Sequence, residues 1–175
     1  MRGIRHFPLA LALVSLVALG GCMTSDGGDK NAPLPRMSRE GAQTWATHFV
    51  ESMARSAGVE IDEKSIDPAF YDCIGEHDEV MHDGRFDLTY YAHAPLAQRL
   101  HGGAVAKIRD DLKKRGYEIT SFRDDASMDP AVVLEAFSRD KHFSVDVSGY
   151  KTPDELHFVV STPCLLPPGV KQEKL

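Results

Sequence analysis

Thirteen residues without a charge, Phe7 to Leu19, run directly into Leu19-Gly20-Gly21-Cys22, behind a start that carries Arg2 and Arg5. A basic start, an apolar middle and small residues at a cut site form the three-part layout of a secretory signal. This constrains the fold first, because the folding part of the chain then begins after the leader and matures outside the reducing cytoplasm. The run is shorter than the ~20 apolar residues of a membrane-spanning helix. Leu19-Gly20-Gly21 is also unlike the Ala-x-Ala-like end of a plain signal peptide. Arg2 and Arg5 are not adjacent, so a twin-arginine route has no support.

The block Leu19-Gly20-Gly21-Cys22 resembles the lipobox of bacterial lipoproteins, in which the cysteine thiol receives a diacylglycerol and the leader is cut just before it. The resemblance implies residues 1–21 as the leader, lipidation at Cys22 and a domain held at the extracytoplasmic side of the cell membrane. With Cys22 so used, two of the three cysteines remain, Cys73 and Cys164. In an oxidising compartment two cysteines pair without leaving an odd thiol. Neither has a second cysteine at the spacing of a zinc site, which makes a structural disulfide the preferred reading over metal ligation.

Removing Arg2 and Arg5 leaves 18 basic side chains against 26 acidic ones, a net charge of −8. Such acidity disfavours nucleic acid and charge-driven binding to anionic lipid head groups. Residues 22–37 are rich in Gly, Pro, Asp and Asn without apolar periodicity, and read as the lipidated cysteine and a flexible tether. As a coil its ~15 residues span roughly 20 Å. Residues 167–175 read as a flexible tail, leaving residues 38–166 for a single domain.

Ala42, Trp45, Ala46, Phe49, Val50, Met53, Ala54 and Ala57 recur at three- and four-residue steps, an apolar helical stripe with Ser38 as N-cap and Gly58 as its stop. A second helix is expected from Pro95 to Arg115, with Leu96, Leu100, Ala104, Ile108 and Leu112 on one face and Gly116 beyond its end. Gly102-Gly103 marks either a kink or a close approach. Strand patterns cover Phe70–Ile74, Phe86–His93, Tyr117–Arg123, Val132–Ser138, Phe143–Ser148 and Leu156–Cys164. The expected fold is α+β: an antiparallel sheet of about five or six strands, two helices on one face, one disulfide and an opposite face open to solvent.

The open face carries the candidate binding residues. Asp87, Thr89, Tyr91 and His93 alternate along one strand, Asp146, Ser148 and Tyr150 along another, and His157 stands on a third. Tyrosines among small polar groups make good contact surfaces at low entropic cost, so this face is the expected site for a protein or other cell-envelope partner. A plain hydrated sheet face is the competing reading. The densest ligand-like stretch, Glu76 to Asp83 with His77, Asp78 and His82, matches neither the calcium-loop nor the His-Glu-x-x-His pattern and sits where a charged turn belongs. No metal or cofactor is expected. Ser138–Lys141 and Ser148–Lys151 repeat a Ser-x-x-Lys spacing without its companion motifs, and no Gly-x-Ser-x-Gly elbow occurs. A metal-dependent or carboxylate-based envelope enzyme remains the alternative to a binding domain, and a structural spacer a third.

As a whole, with Ser161-Thr162-Pro163-Cys164 closing its late strand, the chain resembles the small secreted lipoproteins of high-GC Gram-positive bacteria. That resemblance implies location and architecture and assigns no catalytic residue.

Overall fold

Apolar stripes at helical period and alternation at strand period resolve into a two-layer α+β structure. A computed structural model describes residues 31–75 and 79–174. Cys22, His77 and Asp78 lie outside the described residues. Helix α1 (Arg39–Ala57) starts at Ser38, whose hydroxyl accepts from the Gly41 amide, and stops at Gly58 in the left-handed region at φ 78°. Strands β1 (Asp67–Asp72) and β2 (Phe86–Pro95) follow, then α2 (His101–Lys114) and a meander of β3 (Glu118–Asp124), β4 (Val132–Phe137), β5 (Ser144–Lys151) and β6 (Asp154–Ser161). The six strands form one antiparallel sheet in the order β1-β2-β6-β5-β4-β3.

Alternation decides the layers. Phe86, Leu88, Tyr90, Ala92 and Ala94 of β2 and Leu156, Phe158 and Val160 of β6 are buried under the helices, while the residues between them face away. Trp45 stacks on Phe143 at 4.1 Å and on Phe49 at 5.3 Å, so the α1 stripe is core. Among the described residues no helix is long and apolar enough to cross a membrane.

Helix α2 begins at His101, six residues later than its periodicity predicts. Pro95 is the last residue of β2, paired with Glu155, and a short 3-10 turn at Gln98–Leu100 separates strand from helix. Leu96 and Leu100 keep the helical spacing across that turn, which is why the stripe looks longer than the helix. Gly102 marks a close approach: a β-carbon there would run into the Asp124 carboxylate. Cys73 lies one residue beyond β1, and its sulfur bonds Cys164 at 2.08 Å. Thr162, just before it, accepts the Leu88 amide with its hydroxyl and returns its own amide to Leu88 O, both at 2.9 Å.

The stretches 31–37 and 165–173 hold defined contacts that no apolar periodicity announces. Arg36 pairs in parallel with Leu166, and its guanidinium donates to the carbonyls of Pro167 and Val170 at 3.3 and 2.7 Å. Gln172 accepts from the Leu34 amide and donates to Ala32 O, each at 2.9 Å. Behind this clasp, Asp83 and Arg85 form a buried ion pair that also holds the backbone of Glu173.

Candidate functional site

On the face away from the helices, strand parity fixes which side chains emerge and register fixes which meet. His93 on β2 pairs directly with His157 on β6, and His157 with Ser148 on β5. The two imidazoles stack with centroids 3.8 Å apart and planes 15° from parallel, and Tyr150 leans on His157 at 4.4 Å. Glu155, two residues before His157 and so on the same face, joins the rings through one oxygen. Its Oε1 lies 2.7 Å from His157 Nε2 and 3.4 Å from His93 Nδ1. The cluster is half-buried: the side chains of His93, His157 and Glu155 keep 34, 29 and 17 % of their exposure.

The other candidates on this face are spread along the strands. Tyr91 lies between Asp67 and Val159, and Asp146 is the next neighbour beyond Val159. Asp146 accepts from the Ser148 hydroxyl at 2.9 Å. Thr89 and Ser161 share a hydroxyl contact at 3.3 Å. Asp87 sits at the far end beside the disulfide, about 20 Å along β2 from His93 at the usual strand rise. The structure thus brings His93, Tyr150 and His157 together and leaves Asp87, Thr89, Tyr91 and Asp146 outside that group.

Burial acts on these groups in opposite senses. It pushes the carboxyls of Asp87 and Asp146 up, with Glu135 adding to the rise at Asp146 and the Ser148 hydrogen bond opposing it. It pulls His93 down, helped by the charge of His157 and opposed by Glu155 and Asp62. His93 is therefore a neutral ligand-ready imidazole at neutral pH.

Glu155 is the residue that reading the sequence missed. Its parity with His157 was the available signal, but only the short β5–β6 hairpin, where Tyr150 pairs with Glu155, makes it inward-placed. His101 was also missed. It is fully buried on the helix side, with Nε2 2.7 Å from Leu96 O and its ring against Gly149. The charged stretch before β2 behaves otherwise than its composition suggests. Asp83 is committed to Arg85 inside the fold, and the His82 amide donates to Glu173 Oε2 at 3.0 Å. Cys73 and Cys164 lie close to the Asp87 carboxylate but are tied in the disulfide and unavailable to a metal. Compared with protein-family models, curated proteins and solved structures, the chain matches none of them.

Proposed function

We propose that this chain is a membrane-tethered extracytoplasmic domain, attached through Cys22, whose open sheet face binds a protein or other component of the cell envelope. One observation carries the binding role. The helix-free face presents Tyr91, Tyr150, His93 and His157 among Thr89, Ser148 and Ser161 on strands whose other side is packed core. Aromatic and imidazole rings on a rigid support lose little freedom on contact, which favours recognition. The Cys73–Cys164 bond supports an oxidising compartment.

Photo-crosslinking residues placed at Tyr91 and Tyr150, and at His48 on the outer side of α1, test the face in living cells. Capture from the two sheet positions and not from His48 is expected; equal capture from His48 sinks the face assignment. Cys22→Ser should move the protein from the membrane to the soluble fraction, and its retention on the membrane sinks the anchor.

A further inference from the structure

We propose that His93, Glu155 and His157 form a binding site for one divalent transition-metal ion of the zinc, copper or nickel class. Two imidazole nitrogens and one carboxylate oxygen suit these borderline cations, whereas calcium and magnesium prefer oxygen donors alone. The donor atoms Nδ1 of His93, Nε2 of His157 and a carboxylate oxygen of Glu155 all lie within 4.8 Å of one another. Donors around a tetrahedral zinc ion at bond lengths of about 2.0–2.2 Å stand about 3.3 Å apart. The observed separations of 3.4 and 2.7 Å bracket that spacing. A hydrogen bond to Glu155 needs only one ring, yet the register of β2 and β6 aims two rings at the same oxygen.

The surroundings favour a cation. Asp62 and Asp146 stand near enough to act on His93 and His157 respectively, so the charges around the pair are carboxylates. Three ligands come from two adjacent strands in the middle of the sheet, so little chain ordering accompanies binding. An ion must lie in the plane of each imidazole, and the stacked rings must splay to admit it. Both rings reach solvent, so the splay disturbs no core packing. The ion takes the place of the proton shared between His157 Nε2 and Glu155 Oε1, which is released to solvent. Remaining coordination positions open outward beside Tyr150 and Ser148, to water or to a donor group of a partner. The site stands on its own geometry whether or not the face takes a partner.

Equilibrium dialysis of the full chain against zinc chloride, purified without a histidine tag, with metal read by mass spectrometry, tests this. One zinc per chain is expected, retained in H77A/H82A and lost in H93A/H157A. E155Q should weaken binding by more than the roughly 10–100-fold that loss of an outer-sphere partner costs. Imidazole NMR of the unaltered chain supplies the reading that needs no variant: zinc should shift the rings of His93 and His157 and leave His101 in place. No zinc bound at 100-fold molar excess, binding that survives H93A/H157A, shifts confined to other histidines, or calcium competing on equal terms each overturns the proposal.

Discussion

Replacing Asp83 with asparagine should cost this domain about 3–5 kcal/mol, the usual penalty for leaving a buried charge without its partner. The Asp83 and Arg85 side chains are 1 and 4 % exposed. Asp83 accepts from Arg85 Nε at 2.8 and 3.0 Å, from Nη2 at 2.5 Å, from the Arg85 amide at 3.1 Å and from the Glu173 amide at 2.9 Å. Asparagine keeps the shape, but its NH2 turns a donor toward donors and removes the only charge facing the guanidinium in that fork. Against a total stability of about 5–15 kcal/mol this is a large share. It corresponds to a melting temperature lower by roughly 10–15 °C for a domain of this size. Urea unfolding of both proteins gives the number. A D83L/R85M pair should recover most of the loss, because apolar replacement of a buried ion pair is near neutral. A D83N cost below about 1 kcal/mol would refute the reasoning, for it would mean that Arg85 reaches water and the pair behaves as a surface one. The pH dependence has a defined sign. Arg85 holds the Asp83 carboxyl far below the usual carboxylate range, with the Glu173 and Arg85 amides assisting and burial opposing. The pair's contribution is therefore complete above the unfolded value of about 4 and is lost as pH falls below it toward the folded one. The acid limb of D83N should be flatter than that of the unaltered protein.

Three other outcomes are expected. Reducing Cys73–Cys164, or replacing both with alanine, should lower stability by about 4–5 kcal/mol as the denatured chain regains a 91-residue loop; unfolding with and without reductant measures it. Gly149→Ala drives a β-carbon to within 2.7 Å of His101 Nδ1, and with both residues buried the overpacking should cost about 1–3 kcal/mol in the same assay, while Gly103→Ala, open to space, should not. Burial raises the Asp146 carboxyl, so its folded form binds a proton more readily than the unfolded chain; stability then falls as pH rises from about 4 through the raised value. Asp146→Asn should melt higher than the unaltered domain at pH 7 and equal to it near pH 3, by calorimetry.

What was legible in the chain was local. Ser38 and Gly58 bound α1 through contacts within a few residues, and strand parity assigned each β2 side chain to a face. The pairing of Cys73 with Cys164 followed from arithmetic on three cysteines. Adjacency was not legible. His93 and His157 share a face by parity, but their stacking depends on the β2–β6 register, a pairing across the whole α2 crossover and meander. Glu155 had the right parity and was passed over because a lone acidic residue near a turn reads as solvated. Asp83-Gly84-Arg85 looked like an exposed turn, and Gly84 does turn there at φ 71°. Its flanking charges are buried because the segment 165–173 returns over them, and such a return leaves no periodic trace. Pro95 misled for a related reason: a residue suited to a helical first turn serves equally as the end of a strand, since its missing N–H needs no partner there.

The clasp of Arg36 on Leu166 also sets how the domain carries tension. That clasp lies beyond the last residue of β6, while His157 stands near the first turn of the same strand, opposite His93. A pull on Asn31, resisted by anything gripping the His93–His157 end, is directed along β2 and β6 and not across them. The ladder bonds between those strands are then loaded side by side in shear, and many must fail together before the strands slide. Cys73–Cys164 adds a covalent rung at the loaded end. The arrangement is that of a load-bearing link, stiff along the line from its attached end to its far end and weak only when peeled from the β3 edge.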